Sequence, residues 1–156
     1  MSLLPSWAPN LHPLVIHFPI VLVITAVAID VMDTMFERPA WLPVMSTGLY
    51  TAAALAAVTA YLTGQRAADV VFVPGMAHPL IDDHRMWALA TAWYVGVTAI
   101  ARLAAARLGF PRARVHRVLL FAVGLIAVVL VQQTADRGAR LVYEQGVGVI
   151  AAPGSP

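Results

Sequence analysis

Four stretches of the chain carry almost nothing but apolar residues, at about 13–33, 41–63, 85–107 and 116–135, and polar residues gather between them. Each is long enough for a helix to cross a hydrocarbon core, which is roughly 30 Å thick and takes about 20 helical residues. The pattern predicts an all-α fold: four transmembrane helices threaded up and down as one bundle over residues 1–156, with a C-terminal tail at 136–156. "DTMFERPA" and "LGFPRARV", between the first and the last pairs of stretches, are short, charged and proline-bearing, as turns are. The middle connection, "TGQRAADVVFVPGMAHPLIDDH", is longer and partly apolar. It is expected to lie along the interface or fold back over the bundle, and its Pro-Gly pair argues against a further span. The second stretch, "STGLYTAAALAAVTAYLTG", is rich in small residues, which suit either a tightly packed bundle or a groove for a cofactor.

A hydrophobic fraction of 60% and a charged fraction of 12% stand far from the roughly 25% charged of soluble domains, so the expected partner is a lipid bilayer. The net charge of +2 comes from arginine alone, scattered and without interleaved aromatics, which excludes a nucleic-acid surface. The absence of cysteine excludes disulfides, thiolate metal sites, iron–sulfur clusters, covalently attached haem and a cysteine nucleophile. The opening "MSLLPSWAPN" lacks the basic start of a cleavable signal, so the first apolar stretch is expected to remain in the mature chain. Arginines sort the ends: Arg38, Arg102, Arg107, Arg112, Arg114 and Arg117 lie on one side, and Arg66, Arg85, Arg137 and Arg140 on the other. Positive residues are retained in the cytoplasm, which predicts a multi-pass protein of a bacterial inner membrane with both termini in the periplasm.

Up-down threading brings His12, His17, His78 and His84 to the end opposite the arginine-rich one, and leaves His116 among the arginines as an interfacial anchor. "HPLVIH" at 12–17 echoes "HPLIDDH" at 78–84, a faint trace of two related hairpins. Each histidine has a structural reading beside a functional one. His12 precedes Pro13 at a helix entrance; His78 lies in the loop; His84 follows Asp82 and Asp83, acids that suit a helix start, and shares a face with Trp87, Ala88 and Thr91. His17 lies deeper, and Pro19 behind it cannot donate to the Val15 carbonyl, which loosens the helix. Ionisable groups inside spans are usually functional.

Two imidazoles on separate helices can hold a b-type haem through both axial positions without cysteine. The expected pairing is His17 with His84 on the haem iron, with His12 and His78 as alternatives or second-site ligands. That makes the chain a small b-type cytochrome-like electron-transfer subunit, haem b near the periplasmic face, working with protein partners in a membrane redox complex rather than as a stand-alone enzyme. Zinc or copper on the same imidazoles with Asp82 or Asp83 is a rival use. A cofactor-free anchor or assembly subunit is another. A proton or metal-ion transporter would need Asp30 in a relay, but Asp30 falls at the far end of the first helix and reads as an interfacial end-cap. There is no His-Glu-x-x-His, and Ser2, Ser6, Ser46 and Ser155 occupy no nucleophile elbow.

"LHPLVIHFPIVLVITAVAIDVM", "DDHRMWALATAWY" and "DRGARLVYEQGVGV" resemble a bacterial family of four-helix membrane proteins of unknown function, from about Leu11 to Ile150. Relatives in that family are sometimes joined to Rieske or cytochrome c domains, which implies work in electron transfer, and the family's histidines fall on His12, His17 and His84. The chain departs from the family's ending at Ala139 and Gln145, where relatives tend to carry glycine and histidine, so the resemblance implies no ligand in the tail. Gly146 and Gly148 predict an ordered turn there.

Overall fold

The computed structural model describes residues 10–36, 40–109 and 113–149; residues 1–9, 37–39 with Arg38, 110–112 with Arg112, and 150–156 lie outside the described residues. Helices α1 (His12–Val15), α2 (His17–Met35), α3 (Trp41–Val70), α4 (His78–Arg107) and α5 (Arg114–Tyr143) follow in order, with a 3₁₀ turn at Gly75–Ala77 before α4. Among the described residues there is no strand. Four helical segments, α1 with α2 counting as one, are long and apolar enough to span a membrane, in the expected all-α four-helix bundle.

Starts and breaks have local causes. Pro13 and Pro79 stand in the first turns of α1 and α4, where a missing N–H costs nothing. Asn10 Oδ1 accepts the His12 N–H at 3.0 Å, closing the open end of α1. The helix interrupts at Ile16, between α1 and α2, beside the Val15 carbonyl that Pro19 cannot serve. At the far end of α5 the N–H groups of Gln145, Gly146 and Val147 take up the carbonyls of Arg140, Val142 and Leu141. The closure needs Gly146 at φ +65°, a conformation cheap only for glycine.

The helices outrun the apolar stretches. α3 continues to Val70 and α4 begins at His78, so the middle connection is residues 71–77 and not a long interfacial segment. Hydropathy marks where the hydrocarbon ends, whereas "GQRAADV" and "HPLIDDH" can still satisfy helical hydrogen bonds in the wetter layer outside it. At 30 residues, α3 is about 45 Å long.

α2 packs on α3 and α5, and α4 packs on the same two, so the helices form a square with α2 and α4 on one diagonal. Along α3 the inward residues Ser46, Tyr50, Ala53, Ala57, Ala60, Gly64 and Ala67 alternate steps of four and three, the heptad spacing of closely packed helices. The alanines let the backbones approach, and Val23, Ala26, Tyr50, Val95, Ala99 and Ala127 meet in the core. Outward, Phe18, Val21, Leu55, Trp93 and Ile100 are more than half exposed, an apolar surface suited to lipid. A shallow apolar groove of about 320 Å³ runs between α3 and α4 past Val58, Leu89, Trp93 and Gly96.

The bundle is tied at its arginine-rich end by a buried ion pair across the diagonal. Arg102 on α4 donates through Nη1 to Asp30 Oδ2 at 3.1 Å and through Nη2 to Oδ1 at 2.6 Å, with side chains only 3% and 5% exposed. Ser46 on α3 accepts from Arg102 Nη2 at 2.7 Å and donates to Asp30 Oδ1 at 2.6 Å. The guanidinium lies 4.5 Å over the Tyr50 ring. α5 contributes an absence: a Cβ at Gly124 would come 2.5 Å from Tyr50 Oη and 2.8 Å from Val27 Cγ2. Asp30 is therefore no end-cap, since α2 continues to Met35, and a carboxylate at that depth is tolerated because its charge is matched and hydrogen-bonded.

Replacing one partner, as in Asp30→Asn or Arg102→Met, leaves the other charge buried alone and should cost about 3–5 kcal/mol, whereas the double variant Asp30→Leu/Arg102→Met should lose much less. Thermal unfolding of the detergent-solubilised protein checks this; equal losses in the single and double variants would contradict it. Gly124→Ala should destabilise by about 1–3 kcal/mol through overpacking. Gly48→Ala, where a Cβ meets nothing within 4 Å, should be neutral or gain up to about 1 kcal/mol, and the same melts compare the two.

Candidate functional site: two anchored imidazoles

Eighteen residues separate His12 from Asp30, and eighteen separate His84 from Arg102. That interval is five turns of α-helix, about 27 Å, so each histidine lies on the helical face that carries a buried charge, at the opposite end of the bundle. Asp30 and Arg102 face the axis, and His12 and His84 consequently do so too. Both are half-buried.

Each imidazole is held by the neighbouring helix in the same way. His84 Nδ1 lies 3.0 Å from the Thr134 carbonyl of α5; a carbonyl only accepts, so Nδ1 carries the proton and donates. His12 Nδ1 lies 3.3 Å from Thr63 Oγ1 of α3. The Thr63 hydroxyl has the carbonyls of Thr59 and Ala60 at 2.9 and 3.0 Å for its own proton, which leaves its oxygen able to accept from His12 Nδ1–H. With the proton on Nδ1, a ring keeps its lone pair on Nε2.

Glycine makes room for both rings. A Cβ at Gly64 would sit 2.9 Å from His12 Cε1, and one at Gly138 would sit 3.2 Å from His84 Cε1. Thr63 and Gly64 thus serve His12 as Thr134 and Gly138 serve His84. Thr91 reinforces the second pair by reaching Thr134 Oγ1 at 2.9 Å, tying α4 to α5 two turns after His84.

Of the four histidines gathered by threading, these two face inward. His17 is exposed on the outward stripe with Val21 and Ile24, and His78 is exposed at the start of α4. The structure does not bring His17 to His84. The echo between the two His-Pro-Leu segments also does not map one inward histidine onto the other: in the first segment the leading histidine faces inward, in the second the trailing one. His116 is exposed at the arginine-rich end. Asp82 is exposed, and Asp83 is paired with Arg137 of α5. Among the described residues no three His, Cys, Asp or Glu side chains are placed to hold a metal ion together, so no imidazole–carboxylate zinc or copper cluster is assembled.

The sequence reading missed the threonine–glycine supports and the ion pair. α2 is apolar around most of its circumference, so periodicity offers little contrast between its inner and outer stripes. Asp30 was the available marker. Counting inward from it through Val27, Val23 and Pro19 leads to His12, whereas His17 falls roughly 140° away around the helix.

The family described as "Predicted membrane protein (DUF2231)" matches residues 8–151, a range that contains every described helix. No curated protein and no solved structure matches the chain. With its four candidate spans, the chain belongs to this family of predicted membrane proteins.

Proposed function

We propose that the protein is a small membrane electron-transfer subunit that holds one b-type haem through His12 and His84. The observation that carries the reading is the matched anchoring of the two imidazoles. Each gives Nδ1–H to an oxygen of the adjacent helix and keeps an Nε2 lone pair, the arrangement that orients a histidine as a metal ligand and raises its basicity. The donor set suits haem better than a bare ion: two imidazoles without a third protein ligand leave zinc or copper under-coordinated, whereas a porphyrin supplies four nitrogens itself. When bound, the haem supplies one-electron chemistry at a potential set by ligands, burial and hydrogen bonds. The chain's own part is to fix ring orientation, through Thr63 and Thr134, and to let the rings sit against bare backbone at Gly64 and Gly138.

His17 and His78 are not ligands in this reading, because their side chains face outward. The arginine-rich end lies in the cytoplasm, which puts the imidazoles at the periplasmic face of a bacterial inner membrane, with a redox partner docking there. The groove between α3 and α4 favours a second reading, a cofactor-free assembly subunit packed against a partner helix. A transporter reading loses its relay acid, since Asp30 is held by Arg102.

Protein expressed with haem supplementation and purified in detergent should show a low-spin reduced-minus-oxidised spectrum. His12→Ala and His84→Ala should each abolish it, while His17→Ala and His78→Ala keep it. A colourless wild-type protein, or a spectrum that survives both inward substitutions, would overturn the assignment.

A further inference from the structure

Arg137 stands one residue before Gly138, on which the His84 ring rests, and one turn after Thr134, whose carbonyl takes His84 Nδ1–H. Its guanidinium is fixed from three directions. Nε donates to Asp83 Oδ2 on α4. Nη1 donates to the Gln133 carbonyl at 3.0 Å and to Gln133 Oε1 at 2.8 Å. Its Cζ lies over the Trp87 ring, 4.5 Å from the centroid. Only Nη2 has no partner among the described residues. Long cationic side chains on membrane proteins ordinarily reach freely toward water; this one, with its side chain 18% exposed, is pinned beside an inward imidazole with two N–H groups unassigned. A helix tie would need the Asp83 pair alone. The second brace on Gln133 and the contact with the Trp87 ring set the direction of Nη2 as well.

We infer that Arg137 is a positioning residue that receives an anionic carboxylate through Nη2. Resting on the haem reading above, that carboxylate is a propionate of the haem. Planar, permanently charged guanidinium is suited to carboxylate recognition, and a hydrogen bond between charged partners is worth about tenfold or more in retention. Asp83 and Gln133 orient the group, so that loading the site requires no rearrangement of the arginine.

The test follows haem loss from the full-length protein in lipid nanodiscs to a haem-scavenging apoprotein, for wild type, Arg137→Gln, Arg137→Lys and Asp83→Asn, with haem and with its dimethyl ester. Arg137→Gln should release haem about tenfold faster than wild type. Arg137→Lys should fall between them, and Asp83→Asn, which removes the charge of the ion pair but keeps an oxygen to accept from Nε and so keeps the guanidinium oriented, should retain haem like wild type. The dimethyl ester should leave wild type about as fast as haem leaves Arg137→Gln, and the substitution should add nothing further to it. If Asp83→Asn sheds haem as fast as Arg137→Gln, the arginine only ties α4 to α5. If esterification and substitution add, Nη2 serves another anion, such as a lipid phosphate. Either result, or an Arg137→Gln protein indistinguishable from wild type, overturns the inference and leaves the haem reading standing. A wild-type protein that takes up no haem removes both.

Discussion

The bundle depends on one electrostatic obligation: a carboxylate and a guanidinium placed too far inside the helices to reach water must find each other. Asp30 and Arg102 sit on diagonally opposed helices, the pair that neighbouring-helix packing leaves apart, so their meeting sets the distance across the square. Ser46 accepts from the arginine and donates to the aspartate, Tyr50 supplies an aromatic face, and Gly124 leaves the space they occupy. All four spans are thereby registered at one depth. Between apolar helices in lipid no hydrophobic force would do this, because lipid solvates leucine as well as another helix does.

Registration at one end fixes the other. Because five helical turns separate each buried charge from a histidine, the diagonal that brings Asp30 to Arg102 turns His12 and His84 to the same axis at a common level. The two ends differ in kind. At the arginine-rich end opposite charges neutralise each other, and only Arg102 Nε and Tyr50 Oη in that cluster lack a hydrogen-bond partner among the described residues. At the histidine end each Nδ1 meets an oxygen of the neighbouring helix, and the Nε2 atoms have no hydrogen-bond partner among the described residues. The first end is a matched pair of charges, and the second presents two imidazoles without a charge to match.

Much of the architecture was legible from residue order. The four spans, their short outer turns and the gathering of histidines at one end follow from apolar length and alternating direction. What hydropathy could not convey was where helices stop, since α3 and α4 run on through polar sequence, or which stripe of α2 faces in, since Val21 and Val23 look alike to any scale. Arg102 resembled an interfacial flank because it lies near the end of α4, and Asp30 resembled a cap for the matching reason. Each lies five residues inside its helix end, and equal depth with opposite sign was the clue that they pair. Thr63, Gly64, Thr134 and Gly138 carried no signal of their own; they became informative only once the imidazoles had been placed over them.

The length of the helices has a consequence for where chemistry could take place. From the arginine-rich ends of α2 and α4 to the imidazoles is about 35 Å along the helices, more than the roughly 30 Å of hydrocarbon. With those ends seated at one boundary, His12 and His84 stand among lipid headgroups on the other side. A group held there would be within reach of the aqueous phase on that side, with the oily layer beneath it separating it from the other.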